Sequence, residues 1–348
     1  MRAGRDFRAG RDFRVSELRW HPLLGEWVAT ATQRQERTFF PPEDYCPLCP
    51  TKPGKFPTEI PAAEYDIVAF ENKFPSLQRQ PPPPAVAGTP LEPVEPARGE
   101  CEVVVYTSDH HATLADVPLS RIEHLVLVWR DRTRNLEARD DIVHVFPFEN
   151  KGEAIGVTLS HPHGQIYAYP FVPPVLRREI AQANAHREST GRCLFCDVRD
   201  RELEDGRRIL AQEHGWVAYI PFFARYPYET HLVPTRCQRS LTTLDRDEVR
   251  GLARILKRVL VGFDALFNVS FPYIMAIHQA PKTDDPYHLH VEFYPPMRTA
   301  TKLKYLAGSE AGAGMYIDDT LAEEKAEELR RTIPDAVPQR VGPQRVER

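Results

Sequence analysis

Five consecutive residues, His161-Pro162-His163-Gly164-Gln165, gather the densest chemistry in the chain. In an extended segment alternate side chains share a face, so His161, His163 and Gln165 stand together with Pro162 and Gly164 opposite. A neutral imidazole can attack phosphorus at physiological pH because its pKa lies nearby. A side-chain amide two residues on can hydrogen-bond a non-bridging phosphate oxygen without adding charge, and the glycine between them lets a phosphate approach the backbone. Spacing alone leaves open that both histidines are metal ligands or surface residues.

Two Cys-x-x-Cys pairs form the other constellation. Thiolates three residues apart reach one tetrahedral ion, and two further ligands close a structural site. Cys46 and Cys49 with His110 and His161 make one such set; Cys193, Cys196, Cys237 and His288 make the second. His110 to His161 and Cys237 to His288 span the same interval, 51 residues. His111 is an equal candidate beside His110. A redox pair or buried thiols is the plainer reading of a single Cys-x-x-Cys, and the recurrence of the whole ligand set argues for metal.

These residues must be positioned by two copies of one unit. Strands are expected at Trp27 to Ala31, Glu102 to Tyr106, Ile142 to Phe148 and Gln165 to Tyr169. The three- and four-residue spacing of Ile122, Leu125, Val126, Trp129, Thr133 and Leu136 predicts a one-sided helix, as does that of Val249, Leu252, Leu256, Val259, Leu260, Phe263 and Leu266. The fold class is therefore α+β: two halves with antiparallel sheets and helices packed on one side, joined near residues 175 to 192. The expected divisions are a disordered tail over 1–18, which includes a tandem heptad, a catalytic half over 19–178, a second half over 190–335 and a flexible tail over 336–348. The proline-rich stretch from Gln78 to Arg98 reads as a loop or boundary.

Composition narrows the function. Forty-five basic against 49 acidic residues give a net charge of -4, so no global field draws nucleic acid or anionic membrane. A zinc-dependent nucleic-acid binder would carry a basic stripe, which is lacking. No apolar run approaches the ~20 residues of a membrane span, and Met1 to Arg14 lacks the apolar stretch of a signal peptide, so the cytoplasm is the expected compartment.

The pentapeptide, with Phe148-Glu149-Asn150-Lys151-Gly152 upstream and Phe293-Tyr294-Pro295-Pro296 downstream, resembles the galactose-1-phosphate uridylyltransferase family of the histidine-triad superfamily. The similarity runs from Arg19-Trp20-His21-Pro22-Leu23 to Glu310, and it implies two histidine-triad-like halves in one chain. It further implies a ping-pong reaction in which UDP-glucose uridylylates His163, glucose 1-phosphate leaves, and galactose 1-phosphate takes the uridylyl group. Gln165 then stabilises the intermediate. By the same matching Cys46, Cys49, His110 and His161 are zinc ligands, and Asn150 and Thr158 contact phosphate. Arg34 and Arg37 form a basic pair beside it, Asn72 and Phe74 contact uridine, and Lys304, Tyr305 and Glu310 contact the hexose. A homodimer is implied, with that last segment reaching the neighbouring subunit.

The second half departs from the pattern. Family members with a further metal, often iron, bind it through a Glu and three His residues. Here Glu179, His278 and His290 match, but Glu292 holds the last position. This set and the Cys193, Cys196, Cys237, His288 set are expected to exclude one another, with zinc at the cysteines favoured over zinc or iron at the other. Repeat places Glu292 where Gln165 stands in the first half, and a carboxylate there would repel phosphate, so the second copy is expected to be structural. Ser309 replaces a usual Tyr before Glu310. The enzymatic alternative is another histidine-triad nucleotidyltransferase, such as a dinucleoside polyphosphate phosphorylase.

Overall fold

The computed structural model describes residues 15–36 and 45–338. The first half contributes β1 (Ser16–His21), β2 (Glu26–Ala31), β3 (Val68–Glu71), β4 (Val94–Pro96), β5 (Glu100–Val105), helix α1 (Leu119–Glu137), β6 (His144–Lys151) and β7 (His163–Tyr169). Helices α2 (Pro174–Thr190) and α3 (Leu194–Asp205) follow. The second half holds β8 (Ile209–Glu213), β9 (Trp216–Tyr219), β10 (Thr230–Pro234), α4 (Arg246–Phe267), β11 (Tyr273–His278) and β12 (His290–Tyr294), then β13 (Met297–Thr299), β14 (Lys302–Leu303) and α5 (Ala322–Arg330).

Nine strands form one antiparallel sheet in the order β3-β5-β7-β6-β11-β12-β10-β9-β8. Two separate sheets were not required, because β6 of the first half pairs with β11 of the second, Ala276 opposite Phe148 and Ile274 opposite Asn150. The order reads outward from that seam as corresponding strands on either side. His163 opens β7 and His290 opens β12, each central in its half. The proline-rich stretch is part loop and part strand, since β4 returns to pair with β1 in a three-stranded sheet with β2.

Periodicity explains the layers. Along β7 His163, Gln165, Tyr167 and Tyr169 lie on one face, while Gly164, Ile166 and Ala168 are buried on the other. That buried face meets α1 and α4 in a core that includes Ile166, Ala168, Trp129 and Phe263. The buried positions of α1 are the six residues its spacing predicts. A capping box, Asp245 with Glu248, satisfies the first amides of α4. The chemistry-bearing face is thus the one opposite both helices.

The join between halves is helical. Pro174 sits in the first turn of α2, where its missing N–H costs nothing, and Gly191 ends the helix in the left-handed region at φ 74°. Residues 1–14 and 339–348, most of both expected tails, lie outside the described residues, whereas Ser16, Glu17 and Leu18 belong to β1 and are buried. The first tail therefore cannot extend to residue 18. No helix among the described residues is long and apolar enough to cross a membrane.

Lys257 ties the halves beneath the sheet. Its side chain is fully buried on α4, and Nζ donates to Val117 O at 2.8 Å and to Ala115 O, in the turn leading into α1. Truncation by Lys257→Ala leaves a void and two unpaired carbonyls, so a loss of about 3 kcal/mol is expected in urea unfolding.

Candidate active site

His163 stands at the start of β7, opposite Val105 of β5, and Gln165 lies between Val103 and Phe148. The His163 Nδ1–H donates to His161 O at 2.7 Å, which leaves Nε2 with the lone pair. Burial holds His163 below the ordinary imidazole range, so the ring is neutral at pH 7. His163, Gln165, Asn150, Thr158, Arg34, Asn72 and Phe74 line one cavity of about 200 Å³. An adjoining cavity of about 540 Å³ shares His163, Asn150 and Thr158 and extends to His110 and Glu149.

Gly164 has a different reason from the one its sequence context offers. An added Cβ would fall 2.0 Å from Tyr106 Oη and 2.8 Å from Phe148 O, on the helix-covered face. Close packing of Tyr106 beneath the strand, rather than approach of a phosphate, requires glycine there.

The first ligand set converges. Cys46 Sγ lies 3.8 Å from His161 Nδ1, and Cys49 Sγ lies 3.5 Å from both His161 Nδ1 and His110 Nδ1. Tetrahedral zinc, with bonds of about 2.3 Å to sulfur and about 2.05 Å to nitrogen, sets S···N separations of about 3.6 Å. The spacing therefore fits such an ion. The outer nitrogens also fit: His161 Nε2–H donates to Thr107 O at 2.7 Å, and His110 Nε2 lies 3.3 Å from Ser160 Oγ. Burial lowers His161 to about 4 and keeps it neutral, as a ligand must be. His110, not His111, is the histidine in the set.

In the second half the Sγ atoms of Cys193 and Cys237 lie 3.9 Å apart, near the about 3.8 Å expected for two sulfurs on tetrahedral zinc. Cys196 joins them, but the fourth expected ligand, His288, is not within the same compact group. His288 Nε2 is nevertheless buried without a hydrogen-bond partner among the described residues, while Nδ1 is engaged with Leu289 O at 2.9 Å. Glu179, His278 and His290 form a separate group. The cysteine group and the Glu179 group are thus spatially separate, and His290 belongs to the second of them.

Glu292 sits within 3.3 Å of His290 Nε2 and 3.7 Å of His278 Nε2, but it also pairs with Arg225 at 3.0 Å and His231 at 3.4 Å, and accepts from Tyr294 Oη. Burial raises its carboxyl, and the His231, His278 and His290 imidazoles outweigh that and hold it well below the usual range. Glu229 completes a buried network by accepting from Arg225 and His231. No motif marks Arg225, Glu229 or His231; His231 is brought opposite Glu292 by pairing of β10 with β12, and Arg225 and Glu229 come from the segment just before β10.

Not every matched residue reaches the cavities. Arg37 lies outside the described residues. Lys304, Tyr305 and Glu310 line neither cavity. Lys304 is buried against Glu310 at 3.5 Å and donates to Ile317 O, whereas Tyr305 is 73% exposed. Glu149, overlooked by motif matching, lines the larger cavity and accepts from Tyr273 Oη at 3.3 Å; burial pushes its carboxyl up to about 8.

Comparison with known proteins decides the family. The profile described as galactose-1-phosphate uridyl transferase, N-terminal domain, matches residues 6–173, and that of the C-terminal domain matches 179–340. The chain belongs to the galactose-1-phosphate uridylyltransferase family. It is 41% identical over 322 residues to a galactose-1-phosphate uridylyltransferase of Thermotoga maritima, covering 91% of this chain and 99% of that one. A Streptomyces lividans protein of the same name is 38% identical, with 91% and 87% covered. A solved uridylyltransferase structure superposes with a TM-score of 0.82 at 35% identity, covering 91% and 98%. Both halves of this uridylyltransferase family member are therefore accounted for, including the half without the pentapeptide.

Proposed function

We propose that the chain transfers a uridylyl group from UDP-glucose to galactose 1-phosphate through His163. The observation that carries this reading is the His163 Nδ1–H bond to His161 O, which presents Nε2 to a cavity bearing Asn150, Thr158 and Gln165. The Nε2 lone pair forms a bond to the α-phosphorus of UDP-glucose as the bond from that phosphorus to the bridging oxygen breaks. Glucose 1-phosphate leaves with the electron pair. A phosphate oxygen of galactose 1-phosphate then attacks the same phosphorus, the P–N bond breaks, and UDP-galactose leaves a neutral imidazole behind.

Asn150, Thr158 and the Gln165 amide hold non-bridging oxygens, Arg34 and Arg37 balance charge, and Asn72 and Phe74 face uridine. Cys46, Cys49, His110 and His161 hold zinc, which supplies a structural cross-link. The His161 carbonyl accepts the His163 Nδ1–H bond, and that bond fixes the nucleophile's tautomer. The exposed Tyr305, with the Lys304 to Glu310 segment, serves the hexose in a second copy of the chain, as a homodimer. The six free thiols accord with a reducing cytoplasm.

Incubation with UDP-glucose and galactose 1-phosphate is expected to release glucose 1-phosphate, and diadenosine tetraphosphate with phosphate is expected to be inert. Turnover of the second pair alone would overturn this reading.

In the second half Cys193, Cys196, Cys237 and His288 hold a second zinc, for which the unpaired His288 Nε2 is the supporting observation. Glu179, His278, His290 and Glu292 form a separate site for zinc or iron. Elemental analysis of Cys193→Ser/Cys196→Ser is expected to show one zinc fewer per chain, with the metal at Glu179 unchanged. Loss of both together would sink the two-site assignment. His290 is 3% exposed and its neighbour Glu292 is engaged by Arg225 and His231, so this copy serves as scaffold.

A further inference from the structure

Asn72 and Gln165 are joined by a hydrogen-bond chain whose polarity is set by the backbone. The Phe74 N–H donates to Asn72 Oδ1 at 2.8 Å. A backbone N–H only donates, so the Asn72 atom facing it is oxygen and Nδ2 is directed elsewhere. Nδ2 donates to Gln165 Oε1 at 3.2 Å, which commits the Gln165 oxygen to Asn72. The Gln165 NH2 is left to face the other way. Asn72 is itself anchored, its N–H donating to Cys101 O of β5 at 2.8 Å. Gln165 and His163 share one face of β7 and line the same cavity.

We propose that Asn72 is a positioning residue that holds the Gln165 amide with its N–H donors, not its carbonyl oxygen, toward the phosphoryl group on His163. The inference rests on the covalent reading above and assigns Asn72 a task beyond contact with uridine. A reversed amide would set a partially negative oxygen against a phosphate oxygen and change the sign of the interaction. Symmetry of shape between amide oxygen and nitrogen means that packing cannot choose between the two orientations; a directional partner can. The chain from Phe74 N–H supplies that direction.

The test is single-turnover labelling with UDP-glucose carrying a radiolabelled uridylyl group, in wild type, Asn72→Ser, Gln165→Ala and the double variant. Serine is neutral and too short to reach Gln165. The labelling rate of Asn72→Ser is expected to fall roughly tenfold at saturating UDP-glucose, less than the about hundredfold typical of deleting a donor outright. The same substitution in the Gln165→Ala background is expected to change that rate less than twofold. Asn72→Ala is expected to behave as Asn72→Ser does and replaces it if the serine variant fails to fold. Equal losses in both backgrounds, or a loss confined to KM, would overturn the inference. Wild-type protein that takes no label would overturn the covalent reading instead, a distinguishable result.

Discussion

His163→Gly is expected to take no uridylyl label from UDP-glucose and to lose turnover by roughly a thousandfold or more, the scale on which removal of a covalent nucleophile is felt. The side chain does little for the fold, since its hydrogen bond among the described residues is local, to His161 O. Metal content and the unfolding midpoint should therefore stay near wild type, which separates chemical from structural loss. In the wild type the label should be released by acid, as a phosphoramidate is, and resist mild base. Label that persists in His163→Gly would move the nucleophile elsewhere. The obvious other imidazole, His290, is buried beside a carboxylate, so such a result would contradict the electrostatics of both halves at once.

Cys49→Ser is expected to lower stability by about 4 kcal/mol, with a fall in Tm on the order of 10 °C, and to reduce turnover in parallel. Cys49 Sγ is the atom that approaches both His110 and His161, so its loss opens the set from two sides. Differential scanning calorimetry with elemental analysis would check it: one zinc should disappear with the stability. The effect should reach His163 through a short path, because the ring that ligates and the carbonyl that orients the nucleophile belong to the same residue, His161. A variant that loses zinc but labels at the wild-type rate would show that β7 alone positions His163.

Local physics was legible in the sequence and cross-strand physics was not. Periodicity identified the six buried positions of α1 because a helix face is written in spacing. The recurrence of Cys-x-x-Cys with matched intervals located the sulfur clusters for the same reason. The seam between β6 and β11 is not written in either strand, since both halves' central strands are apolar and any of them satisfies a neighbour. Gly164 was misread because its constraint comes from Tyr106, at the end of the neighbouring strand β5 and far away in sequence. The two metal-type clusters of the second half looked like rivals because family members with the Glu and His set generally lack the second Cys-x-x-Cys, yet the fold sets the two groups apart. Arg225, Glu229 and His231 carry no motif at all; pairing of β10 with β12 sets His231 opposite Glu292, and the segment before β10 brings in Arg225 and Glu229.

The strand order about the β6–β11 seam has the arrangement that two identical chains would generate around a twofold axis. An unlinked pair of such halves would be compelled to keep both copies alike, since every change in one would appear in the other. Fusion through α2 removes that compulsion. One copy can then carry Glu292 and a buried His290 where the other carries Gln165 and His163, and the common sheet holds the two in corresponding positions. Asymmetry here is a freedom conferred by a covalent link between partners that still fit together as equals.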